Sequence, residues 1–399
     1  MITNYTPSQE MAINYVNAGI DMILAGKPGT GKTELIRDIA ERQGSMGKKV
    51  LMTASTGLAA SNLDGGRTIH STLHWNPRSE YLDLDRCCDV LSEADILIID
   101  EVSMLTPSIL NHLVNCLQYV DRPIQTILSG DFFQLPPVNP GMPRIYPFET
   151  RAWQYLDLTP CFLDEVVRQR DPEFKHQLEL AMLADPACIS YFNSESSQRY
   201  IDGAITLCTV NRDADAINQS RMAVLSGPGK AYDALGNSAE ANFSESRVEK
   251  CFIAKKHMRV MALRNDVLGR YQNGSLGTVV ELADDSITVH FDNGNTVEVQ
   301  RIPYDIENVN RDKGMVTVEQ FPLRGGYAIT IHKSQGQTFD SINIKAPRCW
   351  DPGQLYVALS RARSIEGIHL MNPIDADSLI TDPRVVDYYN SLREGYTAA

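Results

Sequence analysis

The run Gly26-Lys27-Pro28-Gly29-Thr30-Gly31-Lys32-Thr33 restricts this chain more than any other feature. It fits the phosphate-binding loop pattern G-x-x-x-x-G-K-[ST]. The apolar run Met22-Ile23-Leu24-Ala25 precedes it, and the helix-favouring stretch Glu34-Leu35-Ile36-Arg37-Asp38-Ile39-Ala40 follows. A strand, a glycine-rich turn and a helix in that order imply an α/β fold. Gly29, Thr30 and Gly31 turn backbone N–H groups toward phosphate oxygens, and the helix N-terminus adds positive potential. Lys32 is placed to reach the β- and γ-phosphates, and the Thr33 hydroxyl to ligate Mg²⁺.

A second motif asks for the same ligand. Ile96-Leu97-Ile98-Ile99 reads as a buried parallel strand, with Asp100 and Glu101 just past its C-terminal end. Ligands of open α/β sheets bind at that edge. Asp100 suits the Mg²⁺ shell, and Glu101 suits the polarisation of an attacking water. Together the two motifs specify hydrolysis of a nucleoside triphosphate and leave open what the energy does.

At 399 residues the chain exceeds what one hydrophobic core serves, so two or more domains are expected. No run of eighteen apolar residues is present and no membrane partner is expected. The N-terminus lacks the basic and apolar segments of a secretory signal. Eight scattered cysteines, with only Cys87-Cys88 adjacent and no C-x-x-C, speak against zinc and against a disulfide framework. A reducing, cytoplasmic or nucleoid setting is expected from that usage. The net charge of −13 disfavours general nucleic-acid affinity. Residues 247–270 run the other way, with seven Lys/Arg against two acids. A polynucleotide groove needs only such a local path of positive potential.

Buried-strand signals at 22–25, 50–53, 96–99 and 124–129 alternate with helical stretches, one of them at 105–120. A second alternating block uses 205–209, 328–331, 341–344 and 368–370. Between its first two strands, 277–282 and 286–291 read as β-strands, followed by Asp292-Asn293-Gly294-Asn295 and the strand 296–299. Asn-Gly between alternating strands is a hairpin signal. A β-rich module over about 245–320 is therefore expected as an insertion, and a shorter insertion interrupts the first domain at about 74–89.

The remaining motifs are Gly130-Asp131-Phe132-Phe133-Gln134-Leu135-Pro136-Pro137-Val138, Val167-Arg168-Gln169, Ile331-His332-Lys333-Ser334-Gln335-Gly336-Gln337-Thr338 and Tyr356-Val357-Ala358-Leu359-Ser360-Arg361. Gln134 stands where a strand end can sense the γ-phosphate. Arg168 and Arg361 are candidates to stabilise charge on a transferring phosphoryl group. With Thr53-Ala54-Ser55-Thr56-Gly57-Leu58-Ala59-Ala60, Thr68-Ile69-His70-Ser71 and Asp100-Glu101-Val102-Ser103-Met104, this ordered set resembles the Pif-type group of superfamily-one 5′-to-3′ DNA helicases, with RecD as nearest relative. The likeness covers nearly the whole chain.

The resemblance implies two RecA-like parallel-sheet domains, 1–160 and 161–244 plus 321–399, with ATP between them. It makes 245–320 an SH3-like module inserted in the second. It assigns Gln9 to the adenine and Gly336 to the nucleotide. Arg168 and Arg361 reach across from the second domain, and Gln134 couples γ-phosphate loss to the DNA-binding face. Contacts to single-stranded DNA are expected from Ser55, Thr56 and His70 in the first domain and from His332, Lys333 and Ser334 in the second. Trp75 opens the short insertion, where this family places a strand-separating wedge; stacking on a base and packing on the domain are both open to it. The expected function is a monomeric, ATP- and Mg²⁺-dependent helicase acting on single-stranded and forked DNA. Rival readings are a translocase or RNA remodeller that does not unwind, and a regulatory ATP switch.

Overall fold

The computed structural model describes residues 5–56, 59–60, 63, 66–75, 84–137, 143–243, 246, 248–310 and 315–397. Gly57, Leu58, Val138, Arg247 and residues 76–83 of the 74–89 insertion lie outside that set. The chain divides into two compact units, Met1–Tyr200 with Ile331–Ala399, and Ile201–Thr330.

In the first unit, β1 (Met22–Gly26), β2 (Val50–Ala54), β3 (Arg67–Thr68), β4 (Ile96–Asp100), β5 (Gln125–Gly130) and β6 (Thr159–Leu163) form one sheet in the order β3-β2-β4-β5-β1-β6. Every pairing is parallel, with Ala54 level with Asp100 and Ala25 level with Gly130. All the loops that leave the C-terminal ends therefore share one edge. The continuous apolar runs exist because both faces are covered. Ile96 and Ile98 pack with Leu35, Ile36 and Ile39 of α2 (Lys32–Ser45) and with Ala12 and Val16 of α1 (Pro7–Asn17). Leu97 and Ile99 point the other way, onto Ile109, Leu110 and Leu113 of α5 (Pro107–Tyr119). Between these lie α3 (Ile69–Thr72) and α4 (Leu84–Ser92). The helix expected over 105–120 is shorter, because Thr106 caps it and Pro107 takes its first position.

The second unit is mostly antiparallel. It opens with β7 (Ile205–Cys208) and α6 (Asn211–Ala223), continues through β8 (Lys230–Asp233), β9 (Leu235–Gly236) and β10 (Cys251–Ala254), and ends with β18 (Ala328–Thr330). β11 (Arg259–Ala262), β12 (Leu276–Leu282), β13 (Ser286–Phe291), β14 (Thr296–Gln300) and β17 (Leu323–Gly325) make a sheet ordered β14-β13-β12-β11-β17. β15 (Ile302–Glu307), β16 (Met315–Gln320) and β9 make a second. The Asn-Gly hairpin joins β13 to β14, with His290 opposite Thr296 and Gly294 at φ +90°. β8, β9 and β17 join the antiparallel pairings, so these extend beyond 245–320. β7 and β18 pair in parallel within this unit. Part of the basic stretch is paired: Arg259 bridges Asp292 at 2.6 Å and Arg270 bridges Asp266 at 2.6 Å, while Lys255 keeps its charge and donates to the carbonyls of Met222 and Leu225.

The chain then returns to the first unit through α7 (Ile331–Ser334), β19 (Ile342–Lys345), α8 (Gln354–Leu359), β20 (Ile368–Leu370) and α9 (Pro383–Thr397). Sequence reading passed over α9 because its apolar positions are tyrosines. Tyr388 stacks on Phe148 with ring centroids 4.1 Å apart and meets Phe132 edge-on at 5.5 Å. Tyr388→Ala is expected to destabilise the chain by about 3–5 kcal/mol, as other large aromatic truncations do. Denaturant unfolding of the variant checks this, and a loss under about 1 kcal/mol would mean that α9 docks by other means.

One expectation is corrected. Cys87 on α4 and Cys116 on α5 form a disulfide, with Cα atoms 6.4 Å apart. The two positions are separated by 29 residues, and only the packing of α4 against α5 brings them together. The other six cysteines form no disulfide.

Candidate nucleotide site and nucleic-acid interface

The loop after β1 carries the glycines that its geometry requires. Gly29 and Gly31 have φ of +82° and +83°, a region that side chains disfavour. A Cβ on Gly29 would also lie 2.5 Å from Cβ of Arg168. The Gly29 carbonyl accepts from the backbone N–H groups of Val167 and Arg168, at 2.8 and 3.1 Å. The chain beyond β6 thus clamps the loop from the side. Thr30 donates to the Lys27 carbonyl, and Lys32 folds back onto the carbonyls of Gly26 and Lys27.

Lys32 is 9% exposed, and burial holds its ammonium pKa below the ordinary value. Asp131, Glu101 and Asp100, in that order of strength, push it back up. Asp100 accepts from Thr33 Oγ1 at 3.2 Å on one oxygen and from Ser129 Oγ and the Glu101 N–H, both at 2.9 Å, on the other. Glu101 sits at φ +54°, a strained conformation for a non-glycine residue. Burial, then Asp100, raises its carboxyl pKa, while Lys32, Gln335 and Arg361 oppose the shift. Gln335 Nε2 donates to the Glu101 carboxylate at 3.0 Å.

Arg361 is 1% exposed and lies in a cage of oxygens. Its guanidinium donates to the carbonyls of Val357 and Gln337, at 2.9 and 3.2 Å, and to Ser360 Oγ at 2.9 Å. Burial depresses its pKa, and Glu101 is the strongest opposing charge. Arg168 donates to the Ser360 carbonyl at 3.2 Å, and burial together with Arg361 lowers its pKa to about 9. Lys32 and Arg361, 329 positions apart in the chain, therefore act on one carboxylate. Gly336, at φ +79°, forms the turn after α7 beside Gln335.

Several buried polar atoms here have no partner among the described residues: Asp131 Oδ2, Gln134 Oε1, Gln335 Oε1 and both amide atoms of Gln337. An unmatched buried polar atom costs about 1–3 kcal/mol. Such a cluster calls for a polar ligand or ordered water. Asp100 and Thr33 offer hard oxygen donors, which fit Mg²⁺. Gln9 caps α1: its Oε1 accepts from the Thr6 N–H at 3.1 Å, and its Nε2 lies 3.3 Å from where a Cβ on Gly31 would stand.

The candidate nucleic-acid contacts divide into two kinds. Ser55 Oγ donates to the Glu101 carbonyl at 2.6 Å, Thr56 Oγ1 accepts from the Ala59 N–H, and Ser334 is fully buried with its hydroxyl on the Ile331 carbonyl. These hydroxyls shape backbone. His332, Lys333, His70 and Trp75 keep partial exposure. His332 lies 3.8 Å from Asp351, and burial depresses its pKa. Trp75 packs on the core beneath it and stacks between His70 and His112, with centroids at 5.3 and 6.4 Å. Sequence reading missed Gln335, Asp131 and Gln169 as site residues. The buried Gln169 amide donates to the Ala362 carbonyl at 3.0 Å and ties the segment after β6 to the end of α8. Each stands beside a residue the motifs did single out, which was the available signal.

The PIF1-like helicase pattern matches residues 6–184. A protein described as ATP-dependent DNA helicase Pif1 from Bdellovibrio bacteriovorus is 32% identical over 416 residues, covering 97% of this chain and 92% of its own length. An ATP-dependent DNA helicase PIF1 from Danio rerio is 30% identical, and this chain spans 64% of it. The solved structure of Pif1 helicase from Bacteroides in complex with ADP-AlF3 and single-stranded DNA superposes with a TM-score of 0.75 at 30% identity, covering 99% of this chain and 98% of that one.

Proposed function

We propose an ATP-driven DNA motor, proceeding from the fact that this chain belongs to the PIF1-like helicase family. It is an α/β protein of two RecA-like domains and an ATP-hydrolysing DNA helicase. In this reading it moves 5′ to 3′ on single-stranded DNA, opens forked duplex DNA and works as a monomer. The observation that carries the reading is the 3.0 Å hydrogen bond from Gln335 to Glu101, which joins the motif at 331–338 to the carboxylates beside the phosphate loop. Two distant motifs build one buried site, as a motor that couples ATP to closure requires.

Lys32 holds the β- and γ-phosphates, with Gly29, Thr30 and Gly31 around them. Thr33 and Asp100 would hold Mg²⁺, which when bound would supply positive charge against the phosphates. Glu101, kept in place by Gln335, orients or deprotonates the attacking water. Arg168 and Arg361 stabilise the transferring phosphoryl group. Gly336 turns the backbone beside the nucleotide, and Gln9 reads the adenine through its Nε2. Gln134 and Asp131 sense the γ-phosphate. DNA runs over the edge bearing His70 and Trp75 on one side and His332 and Lys333 on the other, with Ser55, Thr56 and Ser334 shaping the loops.

Single-stranded DNA is expected to raise ATP turnover at least about tenfold. A forked duplex with a 5′ tail is expected to open, and one with only a 3′ tail is not. Turnover indifferent to DNA would favour the regulatory switch. DNA-stimulated turnover with no strand displacement would favour a translocase.

A further inference from the structure

We propose that Cys87, Cys116 and His112 form a thiol-oxidation site beneath Trp75, reversibly closed by low-molecular-weight disulfides, that couples redox state to strand separation. All three side chains are buried, and one ligand-type atom from each lies within 4.8 Å of the others. His112 and Cys116 are four residues apart on α5, so they share a face. The only acceptor the Leu73 carbonyl can offer is its oxygen, so the His112 Nε2 facing it at 3.3 Å carries the proton. The same Nε2 lies 3.8 Å from Cys116 Sγ. Burial lowers the pKa of the ring, against the Leu73 hydrogen bond, which raises it. Once the bond opens, that one N–H can be shared between the Leu73 carbonyl and the Cys116 thiolate. Cys116 is then the better leaving sulfur when a local opening of α4 lets an external thiolate reach the buried Cys87.

Closing the bond balances as follows. Two cysteine thiols and one external disulfide RSSR give the Cys87–Cys116 bond and two RSH, which carry off both thiol protons and the two electrons that the cysteine sulfurs give up. The link to function is a chain of contacts. Cys87 fixes α4 to α5, His112 stacks on Trp75, and the Trp75 ring lies tilted against His70 while its backbone N–H donates to the His70 carbonyl at 3.0 Å. Opening the bond removes the covalent tie between α4 and the helix that supports this stack and leaves only their packing. The effect on strand separation rests on the motor reading above, whereas the thiol chemistry does not.

Protein equilibrated in glutathione buffers of graded thiol-to-disulfide ratio is expected to pass from six to eight titratable thiols on denaturation in one two-electron step. Cys87→Ser and Cys116→Ser each remove the step, and Cys88→Ser leaves it. Strand displacement on a 5′-tailed fork is expected to differ by roughly fivefold or more between the two forms, the lower end of ordinary coupling, with DNA-stimulated ATP turnover unchanged. Eight thiols at every ratio would overturn the proposal, as would one equivalent of zinc held by the reduced protein, which would make the cluster a metal centre. Equal strand displacement by both forms would overturn the coupling. ATP turnover unresponsive to DNA in both forms would count against the motor assignment instead, with the six-to-eight step still supporting the thiol site.

Discussion

Lys32→Ala is expected to lower ATP turnover by roughly 10²- to 10³-fold or more, the range for removing one preorganised charge from a buried site. The reason is local. Lys32 is the cation nearest the carbonyls of Gly26 and Lys27, and burial makes its charge costly unless anions face it. A triphosphate supplies them, and alanine leaves its γ-phosphate facing Asp131, Glu101 and Asp100 uncompensated. The core beneath is formed by Leu35, Ile36 and Ile39, which the substitution does not touch. Thermal unfolding of the variant is therefore expected to stay near wild type. Turnover within about threefold of wild type would mean that the loop is not the phosphate site.

Glu101→Gln separates binding from chemistry. Glutamine keeps the size of the side chain and removes its charge and basicity. Turnover is expected to fall by about 10²- to 10⁴-fold, the usual worth of a positioned base, while nucleotide affinity falls far less. Gln335 then faces an amide in place of the carboxylate it donates to at 3.0 Å. Gln335→Ala is expected to reproduce part of the loss, because it leaves the Glu101 carboxylate without its amide donor. A fluorescent ATP analogue read by anisotropy measures binding, and phosphate release measures chemistry. Equal losses in both would make Glu101 a binding group and would remove it from the reaction.

Much of the fold was legible because its strands announce themselves. Ile96 to Ile99 form an unbroken apolar run because each side chain meets one of two cores. The glycine-rich loop fixed what leaves β1, and Asn-Gly fixed the turn between β13 and β14. What stayed hidden depends on distant pairs. β6 has Thr159 and Pro160 in its first half, which reads as loop, and it is defined only by pairing with β1. α9 binds by tyrosines, whose hydroxyls mask an apolar role. The disulfide depends on two helices meeting. Within the site, Lys32, Asp100, Glu101 and Arg361 were placed by motif. Asp131 and Gln335 were not, because a motif ranks residues by their order and says little about which neighbour turns inward. The hydroxyls of Ser55 and Ser334 show the converse, since both lie in motifs and both turn to backbone.

Tyr389 on α9 receives the Phe132 N–H at 3.1 Å, and its hydroxyl lies 3.5 Å from Asp131. The last helix of the first unit thus braces the loop whose carboxylate faces Lys32. Loop and tail are in this sense a single evolving part: a lineage could not rewrite one freely without compensating in the other. Anything joined downstream of α9 would pull on the helix that props this carboxylate.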